Sequence, residues 1–577
     1  MEKSKKYLER IYIVIAILLT LFILGKVVIE SSICGTNDGY LHLIKIMGVN
    51  EIIKQGQFPP IIDAGFCNGY ALNLFYNPLT TYISLICGLI VNNFALGIKI
   101  MLIIMMFLAI IFMYMFLKNV TKKTGVAVAG AIFYVTNPYY LSNIYIRGAI
   151  GESAALTFLP LLFLGLYSLF NGDRKKHYFI TIAATGLILT HNITTLYAAI
   201  ISFIYVIINF NKLKEKDILI KLLINILFIV GLTIFFIYPL LLHSFSGEYV
   251  IFDSDLMRTN GERVASGVIS FKELFMEIPG QEVIFRLNII QVVLFILSIF
   301  CYRFIDKKDR KIYLSFIIFA ILSVILCMTK NIWKFAPDIL CNIQFPWRLL
   351  GFSGFFISTI AGINLFIILK KIFKNKENGL IFVIIPIALL SLLYAYSLDY
   401  KDYTTKKDDN ESIEFINNNI NNIVYMNINR EYMPSKTYIA LYKNQERVKG
   451  DKVFILEGEA LIESENKNEL IYDIKLSDIK ENTSIEVPFL YYKGYSAYIE
   501  NEKNGRKEID VKESDYGFLK IDIPNEYKNG MIKVEYKTPI TYYIVYIISF
   551  VTLIGFIIYI VLNTEKSKNY EKIKEIK

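Results

Sequence analysis

The chain alternates long apolar runs with short segments that carry most of its charged residues. The apolar runs fall at 9–30, 74–91, 97–117, 124–137, 152–170, 178–190, 193–210, 217–241, 283–302, 312–329, 347–369, 379–397 and 541–562. Several of them exceed about 18 residues, the usual length of a helix that spans a membrane. The pattern therefore predicts a polytopic α-helical membrane protein.

The positions of lysine and arginine indicate how these helices are oriented. The run at 74–91 is short, contains Pro78 and is rich in Asn and Tyr, so we expect a re-entrant or juxtamembrane segment there instead of a span. The positive-inside rule then predicts about twelve spans in the plasma membrane, with both termini in the cytoplasm. In this topology the basic clusters share the side of the N-terminus, at 118–123, 174–176, 212–216, 303–311 and 370–376.

This topology divides the chain into three parts. Residues 1–397 form a transmembrane domain, whose outer loop 31–96 holds a juxtamembrane helix and the re-entrant segment; residues 398–540 lie outside the cytoplasm; and residues 541–577 form a final transmembrane helix and a basic tail. The second part contains alternating runs such as DKVFILEGEALIES and YGFLKIDIP, and the NG in NEKNGRKE is typical of a hairpin. We expect an antiparallel β-sandwich there, which binds a carbohydrate acceptor or merely caps the helical bundle.

Composition and missing motifs exclude several functions. Hydrophobic residues make up 55% of the 577 residues, more than an ordinary water-soluble chain contains. The net charge of +10 comes from short loops between apolar runs, so it indicates orientation in a bilayer and not nucleic-acid binding. The sequence has no Walker loop, no GxGxxG after a strand, no GxSxG and no HExxH, so nothing indicates an ATPase, a dehydrogenase or a zinc hydrolase.

The segment TNDGYLHLIKIMGVNEIIKQGQFPP follows the first apolar run and predicts a short helix along the membrane surface. Thr36 or Asn37 can cap it, and the Gly and Pro-Pro that follow end it. Asp38 and His42 are four residues apart, so they share one face of this helix. An ionised Asp38 can act as a general base toward a hydroxyl or hold a divalent cation; alternatively, it is only a first-turn acid and His42 is only a packed histidine.

Other polar residues lie at the outer ends of apolar runs. Arg147 and Glu152, in RGAIGESAALTFLPLL, either form a phosphate site or pair to lock two helices. Arg348, in CNIQFPWRLLGF, stands at a helix start where a lipid phosphate can bind. His191, in LILTHNITTLY, is expected to be a hydrogen-bonded structural histidine.

The segment GFCNGYALNLFYNPLTTYI is dense in Gly, Asn and Tyr, and Asp63 lies just before it. Side chains of these types bind sugar hydroxyls and stack on sugar rings, although aromatic residues also collect at membrane interfaces without a ligand. Asp63 and Tyr76 are therefore supporting candidates for a site in the first outer loop.

Taken in order, the motifs NDGYLHLIKIMGVNEIIKQGQFPP, NGYALNLFYNPLTTYI, RGAIGESAALTFLPLL, LTHNITTLY and FPWRLLGF resemble those of bacterial membrane proteins called YfhO-like and 6-pyruvoyl-tetrahydropterin-synthase-related. Nothing in them indicates pterin chemistry. Both groups are similar to the GT-C superfamily of integral-membrane glycosyltransferases. The resemblance covers roughly residues 8–400, and YYKGYSAYIENEKNG resembles the outer β-module of YfhO-like chains.

The GT-C resemblance implies a catalytic carboxylate in the first outer loop. Here that residue is Asp38, and His42 would orient it or tune its acidity. Many GT-C enzymes have two adjacent acids in this loop, whereas Gly39 follows Asp38 here. This departure favours a base without a metal over one that holds a divalent cation, and no other cofactor is expected.

The resemblance also implies the substrates. The donor is a sugar on polyprenyl phosphate, the acceptor is a cell-wall polymer, a glycolipid or another glycan, and both are reached from the outer face of the bilayer. Arg147 and Arg348 become candidates for binding the donor phosphate, with Glu152 and His191 in support. Two other classes stay open: a transporter or flippase for lipid-linked glycans, and a non-catalytic scaffold for cell-envelope assembly.

Overall fold

The computed structural model describes residues 2–62, 69–245, 248–253, 256, 260–278, 281, 283–374, 377, 379–398, 400, 408–419, 430–444, 452–468 and 470–576. In this part of the chain, seven helices are long and apolar enough to cross a membrane: Tyr7–Glu30, Phe94–Thr121, Ile150–Phe170, Lys216–Ser244, Arg310–Met328, Pro346–Ile372 and Ile540–Asn563. Five shorter apolar helices are Leu79–Val91, Thr124–Val135, Asn192–Ile208, Ile289–Phe304 and Ile381–Ser397. Further helices include Gly39–Lys54, Leu72–Phe75, Pro138–Tyr145, Phe179–Ile188, Gly261–Ser266, Lys330–Lys334, Asp338–Cys341, Asp409–Asn419 and Ser435–Tyr438.

The predicted multi-pass helical architecture is confirmed. The Ile150–Phe170 helix lies at the centre of the bundle, because its apolar window is buried on every side by neighbouring helices. The Leu79–Val91 helix has 13 residues, fewer than the about 20 that a spanning helix needs. The number of spans and the side on which each terminus lies stay predictions.

A buried cluster of polar side chains ties several helices together. The Gln291 amide donates a hydrogen bond to Ser391 (3.0 Å) and accepts one from Ser358 (2.9 Å), and Asn288 donates to the Ser391 carbonyl (3.0 Å). Such bonds between helices stabilise a bundle inside a bilayer. The sequence pattern, in which the spans read as almost purely apolar, does not reveal this cluster.

Among the described residues, nine strands follow the helical part: β1 Phe454–Glu457, β2 Leu461–Asn468, β3 Ile471–Ser477, β4 Ser484–Leu490, β5 Tyr495–Asn501, β6 Gly505–Ile509, β7 Val511–Glu513, β8 Phe518–Asp522 and β9 Gly530–Tyr536. They form two antiparallel sheets, in the orders β1-β4-β8-β7 and β2-β3-β9-β5-β6. Inward-facing residues of both sheets, such as Ile474, Val487 and Ile532, share one apolar core. The predicted antiparallel β-sandwich is confirmed, and the NG turn joins β5 to β6 with Gly505 at a φ of +69°.

Asp409 anchors the residues between the first helix and the Gly39–Lys54 helix. Its carboxylate accepts hydrogen bonds from the Ser32 hydroxyl (2.9 Å) and the Cys34 amide (3.0 Å), and it forms an ion pair with Lys99 (2.8 Å). The residues that lead into the Gly39–Lys54 helix are therefore held by the first residue of the Asp409–Asn419 helix, which precedes the sandwich in the chain.

Candidate functional site

A cavity of about 840 Å³ opens at one end of the helical bundle. Seven of the eight site residues predicted from the sequence line it: Asp38, His42, Tyr76, Arg147, Glu152, His191 and Arg348. The eighth, Asp63, lies outside the described residues. The fold thus brings together side chains from five distant segments of the chain.

Glu152 is the centre of a buried charge cluster. One of its carboxylate oxygens lies 2.9 Å from Nη1 of Arg147 and 3.3 Å from Nε of Arg348. The other oxygen accepts hydrogen bonds from the Tyr139 hydroxyl and the Asn143 amide. The predicted Arg147–Glu152 pair is therefore present, and Glu152 also lies within ion-pair distance of Arg348.

Arg348 keeps a buried donor that makes no hydrogen bond with the described residues. Arg348 donates one hydrogen bond to the Ile343 carbonyl (3.1 Å), but its buried Nε makes none with the described residues, in spite of its closeness to Glu152. Burial alone would lower the pKa of Arg147, but Glu152 and its other neighbours raise the pKa above the ordinary value, so the guanidinium is charged. The cluster therefore places two guanidinium cations at the cavity, and the single carboxylate of Glu152 neutralises only one of these two charges.

Aromatic rings fix these guanidinium groups. The Cζ atom of Arg147 lies 4.6 Å from the Trp347 ring centroid, and the Cζ atom of Arg348 lies 5.6 Å from that of Phe345. The rings of Phe345 and Trp347 stack on each other at 4.9 Å. Cation–π contacts of this kind hold a guanidinium in one orientation.

Asp38 stands directly before the Gly39–Lys54 helix, one position earlier than the first turn in which the sequence places it. Its carboxylate forms no capping hydrogen bond, because Thr36 supplies the cap: the Thr36 hydroxyl accepts the Gly39 N–H (3.1 Å). The Asp38 amide donates to the Arg147 carbonyl (2.8 Å), which fixes the backbone beside the charge cluster. The half-buried carboxylate is left to line the cavity and makes no hydrogen bond with the described residues.

The acidity of Asp38 reflects its position. Burial raises its pKa above the usual value, and the nearby Glu152 adds to that effect, while Arg147 and Arg348 oppose it. A carboxylate in this setting accepts a proton more readily than an exposed aspartate does. This property suits a general base.

Gly148 is the point of closest approach between the RGAIG loop and the start of the Asp38 helix. It has a φ of +62°, and a Cβ atom there would lie 2.1 Å from the Thr36 hydroxyl and 2.8 Å from the Gly39 amide. Only glycine fits both the backbone conformation and the space. The distance between Asp38 and Arg147 thus depends on this residue.

A Gly148→Ala variant is expected to unfold at lower temperature than the wild type in detergent, because it adds both backbone strain and a steric clash. Gly56→Ala is the matched control, since Gly56 has a φ of +81° but open space around it. Strain alone costs about 1–3 kcal/mol. Equal losses in the two variants would show that the tight contact at Gly148 contributes nothing.

His42 packs against Tyr76. Its ring meets the Tyr76 ring edge-on at 5.5 Å, and burial lowers its pKa to about 3, with Lys45 and His191 adding to the effect. It is therefore uncharged at neutral pH. No hydrogen bond joins it to the Asp38 carboxylate in the described structure, and its orienting role stays a prediction.

Lys45 is a buried residue that the sequence analysis does not single out. Its ammonium nitrogen lies 4.0 Å from the Tyr76 ring centroid and 3.5 Å from the carbonyl oxygens of Tyr76 and Asn77. Burial lowers its pKa well below the usual value. The spacing of Asp38, His42 and Lys45 (i, i+4, i+7) places all three on one helix face. This spacing is the feature of the sequence from which Lys45 could have been predicted.

His191 caps the Asn192–Ile208 helix. Its Nδ1 accepts the Thr194 N–H (3.2 Å) and pairs with the Thr194 hydroxyl (2.8 Å), as a structural histidine does. It also lines the cavity, and burial lowers its pKa to about 3, with Arg348 acting in the same direction. His191 is therefore an uncharged residue of the cavity lining.

The described residues contain no group of three or more His, Cys, Asp or Glu side chains that could hold a metal ion. A divalent cation at this cavity would have to be bound by one or two carboxylates together with substrate phosphate, as Mg²⁺ often is. Asp38 is the residue predicted from the sequence that fits such a role.

Sequence comparisons find a family model that matches part of the chain. Residues 74–260 match the family model of the 6-pyruvoyl-tetrahydropterin synthase related domain, which belongs to membrane proteins. An uncharacterised protein of Lactococcus lactis subsp. cremoris is 29% identical over 351 residues, which are 58% of this chain and 56% of that protein. The match thus spans little more than half of the relative's length.

Two solved structures resemble the chain in shape. The Archaeoglobus fulgidus oligosaccharyltransferase AglB, in complex with an inhibitory peptide and a dolichol-phosphate, has a TM-score of 0.37 and 15% identity, with 71% of this chain and 58% of that one covered. The Mycobacterium smegmatis arabinosyltransferase EmbB has a TM-score of 0.35 and 10% identity, with 91% and 62% covered.

The matched domain contains part of the cavity wall. Tyr76, Arg147, Glu152 and His191 lie within residues 74–260, whereas Asp38, His42 and Arg348 lie outside them. The resemblance read from the motifs is therefore supported over residues 74–260, which match the 6-pyruvoyl-tetrahydropterin synthase related domain of membrane proteins.

Proposed function

We propose that the protein is a membrane glycosyltransferase, which transfers a sugar from a polyprenyl-phosphate donor to a carbohydrate acceptor of the cell envelope at the outer face. The observation that carries the proposal is the joint placement of Asp38, Arg147 and Arg348 in the wall of one large cavity. A base and an anion site side by side are what this reaction requires.

The arginines suit the donor phosphate. Arginine is the side chain best matched to phosphate oxygens, which it can bind through two parallel hydrogen bonds. Because Glu152 compensates only one of the two guanidinium charges, the cluster of these three side chains keeps one positive charge, which suits a phosphodiester group. Glu152 in this view fixes the distance between the two arginines.

Asp38 suits the role of base in the transfer step. Its carboxylate takes the proton from the acceptor hydroxyl while the hydroxyl oxygen bonds to C1 of the sugar. The bond between C1 and the phosphate oxygen breaks, and its electron pair leaves with polyprenyl phosphate, whose charge the arginines stabilise. The proton then passes from Asp38 to water, so no oxidant or reductant is needed.

The rest of the cavity suits a lipid-linked molecule. Its apolar walls include Leu240 and Leu241 near the end of the Lys216–Ser244 helix, and Phe345 near the start of the Pro346–Ile372 helix. The ends of spanning helices lie at the depth of lipid headgroups. A phosphate held there would keep its isoprenoid chain in the bilayer.

The two other classes are less well supported. A scaffold needs no cavity beside Asp38, yet one of about 840 Å³ is present. A flippase needs polar groups along a path between the two ends of the bundle. The buried polar side chains around Gln291 are instead hydrogen-bonded to one another between helices, as in a structural cluster.

Fluorescence of Trp347 provides a test of phosphate binding. The chain has two tryptophans, so a Trp333→Phe background leaves only the one that touches Arg147. Polyprenyl phosphate is expected to change this fluorescence saturably, and Arg348→Gln is expected to weaken binding about 10- to 100-fold, because charge-assisted hydrogen bonds are lost. Arg286→Gln, at an arginine that pairs with Glu277 (2.7 Å) and does not itself line the cavity, is the control. An equal response to polyprenol without phosphate would contradict the proposal.

A further inference from the structure

A second unpaired carboxylate lines the same cavity. Glu431 belongs to the short helical turn Arg430–Tyr432, which precedes the β-sandwich in the chain and lies far in sequence from every other residue of the site. Its side chain is half-buried, and it makes no hydrogen bond or ion pair with the described residues. It comes from the part of the chain that the sequence assigns to a separate β-rich domain.

The backbone beside Glu431 is held from three directions. The Tyr432 N–H donates to the Tyr70 hydroxyl (3.0 Å), and the Tyr492 hydroxyl of the β-sandwich donates to the Tyr432 carbonyl (2.8 Å). The Tyr432 ring stacks on Phe75 with centroids 5.2 Å apart and planes 7° apart. Glu431 is therefore presented from a fixed segment, at the junction of the first outer loop and the sandwich.

Glu431 and Asp38 share their electrostatic surroundings. Burial raises the pKa of Glu431, Arg348 lowers it, and Asp38 raises it again. Both carboxylates and Arg348 also act on the hydroxyl of Tyr76, whose pKa is raised mainly by burial. The two carboxyl groups thus line a common space. Arg147 also lowers the pKa of Asp38.

The charges of the cavity wall favour a ligand that donates hydrogen bonds to Glu431. The wall has three carboxyl groups, on Asp38, Glu152 and Glu431, and two guanidinium cations, on Arg147 and Arg348. Its two histidines, His42 and His191, are uncharged. Once a phosphate occupies the arginines, no cation of this wall is left for Glu431. Neutral amides also line the cavity and suit hydroxyl groups better than an anion: Asn37, Asn77, Asn192, Gln281 and Gln344.

We propose that Glu431 binds the acceptor: its carboxylate accepts hydrogen bonds from hydroxyl groups of a carbohydrate, and it thereby holds the attacking hydroxyl toward Asp38. The inference rests on the proposed function and gives the two carboxylates different roles. Asp38 takes the proton, and Glu431 determines which molecule supplies it. The β-sandwich contributes by holding the segment that carries Glu431.

Glu431→Gln tests this assignment, because it keeps the size of the side chain and removes its charge. Purified protein in detergent is given a panel of polyprenyl-phosphate-linked hexoses as donors and soluble peptidoglycan glycan strands as acceptor. The variant is expected to raise the KM for the strands about 10- to 100-fold, as the loss of hydrogen bonds to a charged group predicts. The KM for the donor, and the slow hydrolysis of the donor by water without strands, are expected to stay at wild-type values.

Glu414→Gln, at an exposed position of the Asp409–Asn419 helix, is the matched control, and the unfolding temperature in detergent shows that each variant is folded. An unchanged KM for the strands in Glu431→Gln overturns the inference. So does an equal loss of donor hydrolysis, which would place Glu431 in the chemical step.

A binding measurement separates this inference from the proposed function. If the wild type turns over none of the donors, the proposed function fails, and the strands are titrated against Trp347 fluorescence instead. Weaker binding in Glu431→Gln than in Glu414→Gln supports Glu431 as a carbohydrate ligand. Equal affinity, or no binding to the wild type, overturns it.

Discussion

An Asp38→Asn variant is expected to lose 100- to 10,000-fold of its rate of sugar transfer, the range that a general base contributes. The amide keeps the size of the side chain and its place before the Gly39–Lys54 helix, but it cannot take the proton of the acceptor hydroxyl. Because the Asp38 carboxylate makes no capping hydrogen bond, the helix should form unchanged. The measurement is product formation by folded, detergent-purified protein.

Glu51→Gln is the control for this variant, since Glu51 lies on the same helix but does not line the cavity, and its carboxylate contacts only Lys54 (2.8 Å) and the Asn50 amide (3.1 Å) among the described residues. It should retain the wild-type rate. Comparable rates in Asp38→Asn and Glu51→Gln would remove Asp38 from the chemical step.

The same residue predicts the pH dependence. A base works only when it is unprotonated, so the rate should rise with pH through the pKa of Asp38 and fall as the pH drops below it. Because burial raises that pKa, the acid limb of the rate profile should lie above the usual aspartate value of 3.8. An acid limb at or below that value would mean that another group is being titrated.

A Glu152→Gln variant is expected to lose about 3–5 kcal/mol of stability, as the breaking of a buried ion pair does. Glu152 is almost fully buried and lies between Arg147 (2.9 Å) and Arg348 (3.3 Å), so its removal leaves two guanidinium groups facing each other without compensation. The measurement is the free energy or temperature of unfolding in detergent micelles.

Glu377→Gln is a matched control, because Glu377 also bridges two basic residues, Lys123 (2.7 Å) and Lys370 (2.6 Å), but at an exposed position. A surface pair contributes only about 0–1 kcal/mol, so this variant should be close to the wild type. Equal and small losses in both variants would show that the Glu152 cluster is not buried as described.

Much of the helical part and of the cavity is readable from the sequence, for a physical reason. Apolar runs mark the helices, and a bundle brings the ends of its helices to a common depth. Arg147, Glu152, His191 and Arg348 each stand at such an end, so residues that are far apart in the chain meet in one cavity. The β-strands are equally readable, because alternation of apolar and polar residues marks a half-buried strand.

Other parts of the site depend on tertiary contacts that no local pattern encodes. Glu431 lies in an Asn-rich polar stretch with no periodicity, and it reaches the cavity because Tyr70 and Tyr492 hold the neighbouring Tyr432. Arg348 reaches Glu152 because the Ile150–Phe170 and Pro346–Ile372 helices pack together. The same holds for Gln291, whose partners lie on other helices.

The most direct test of the central claim is the release of polyprenyl phosphate. Purified protein is incubated with polyprenyl-phosphate-linked hexoses and soluble glycan strands, and both products are quantified. The proposal predicts equal amounts of free polyprenyl phosphate and newly glycosylated strand with the wild type, and neither above background with Asp38→Asn. Absence of polyprenyl phosphate from the wild-type reaction across the donor panel, or its undiminished release by Asp38→Asn, would contradict it.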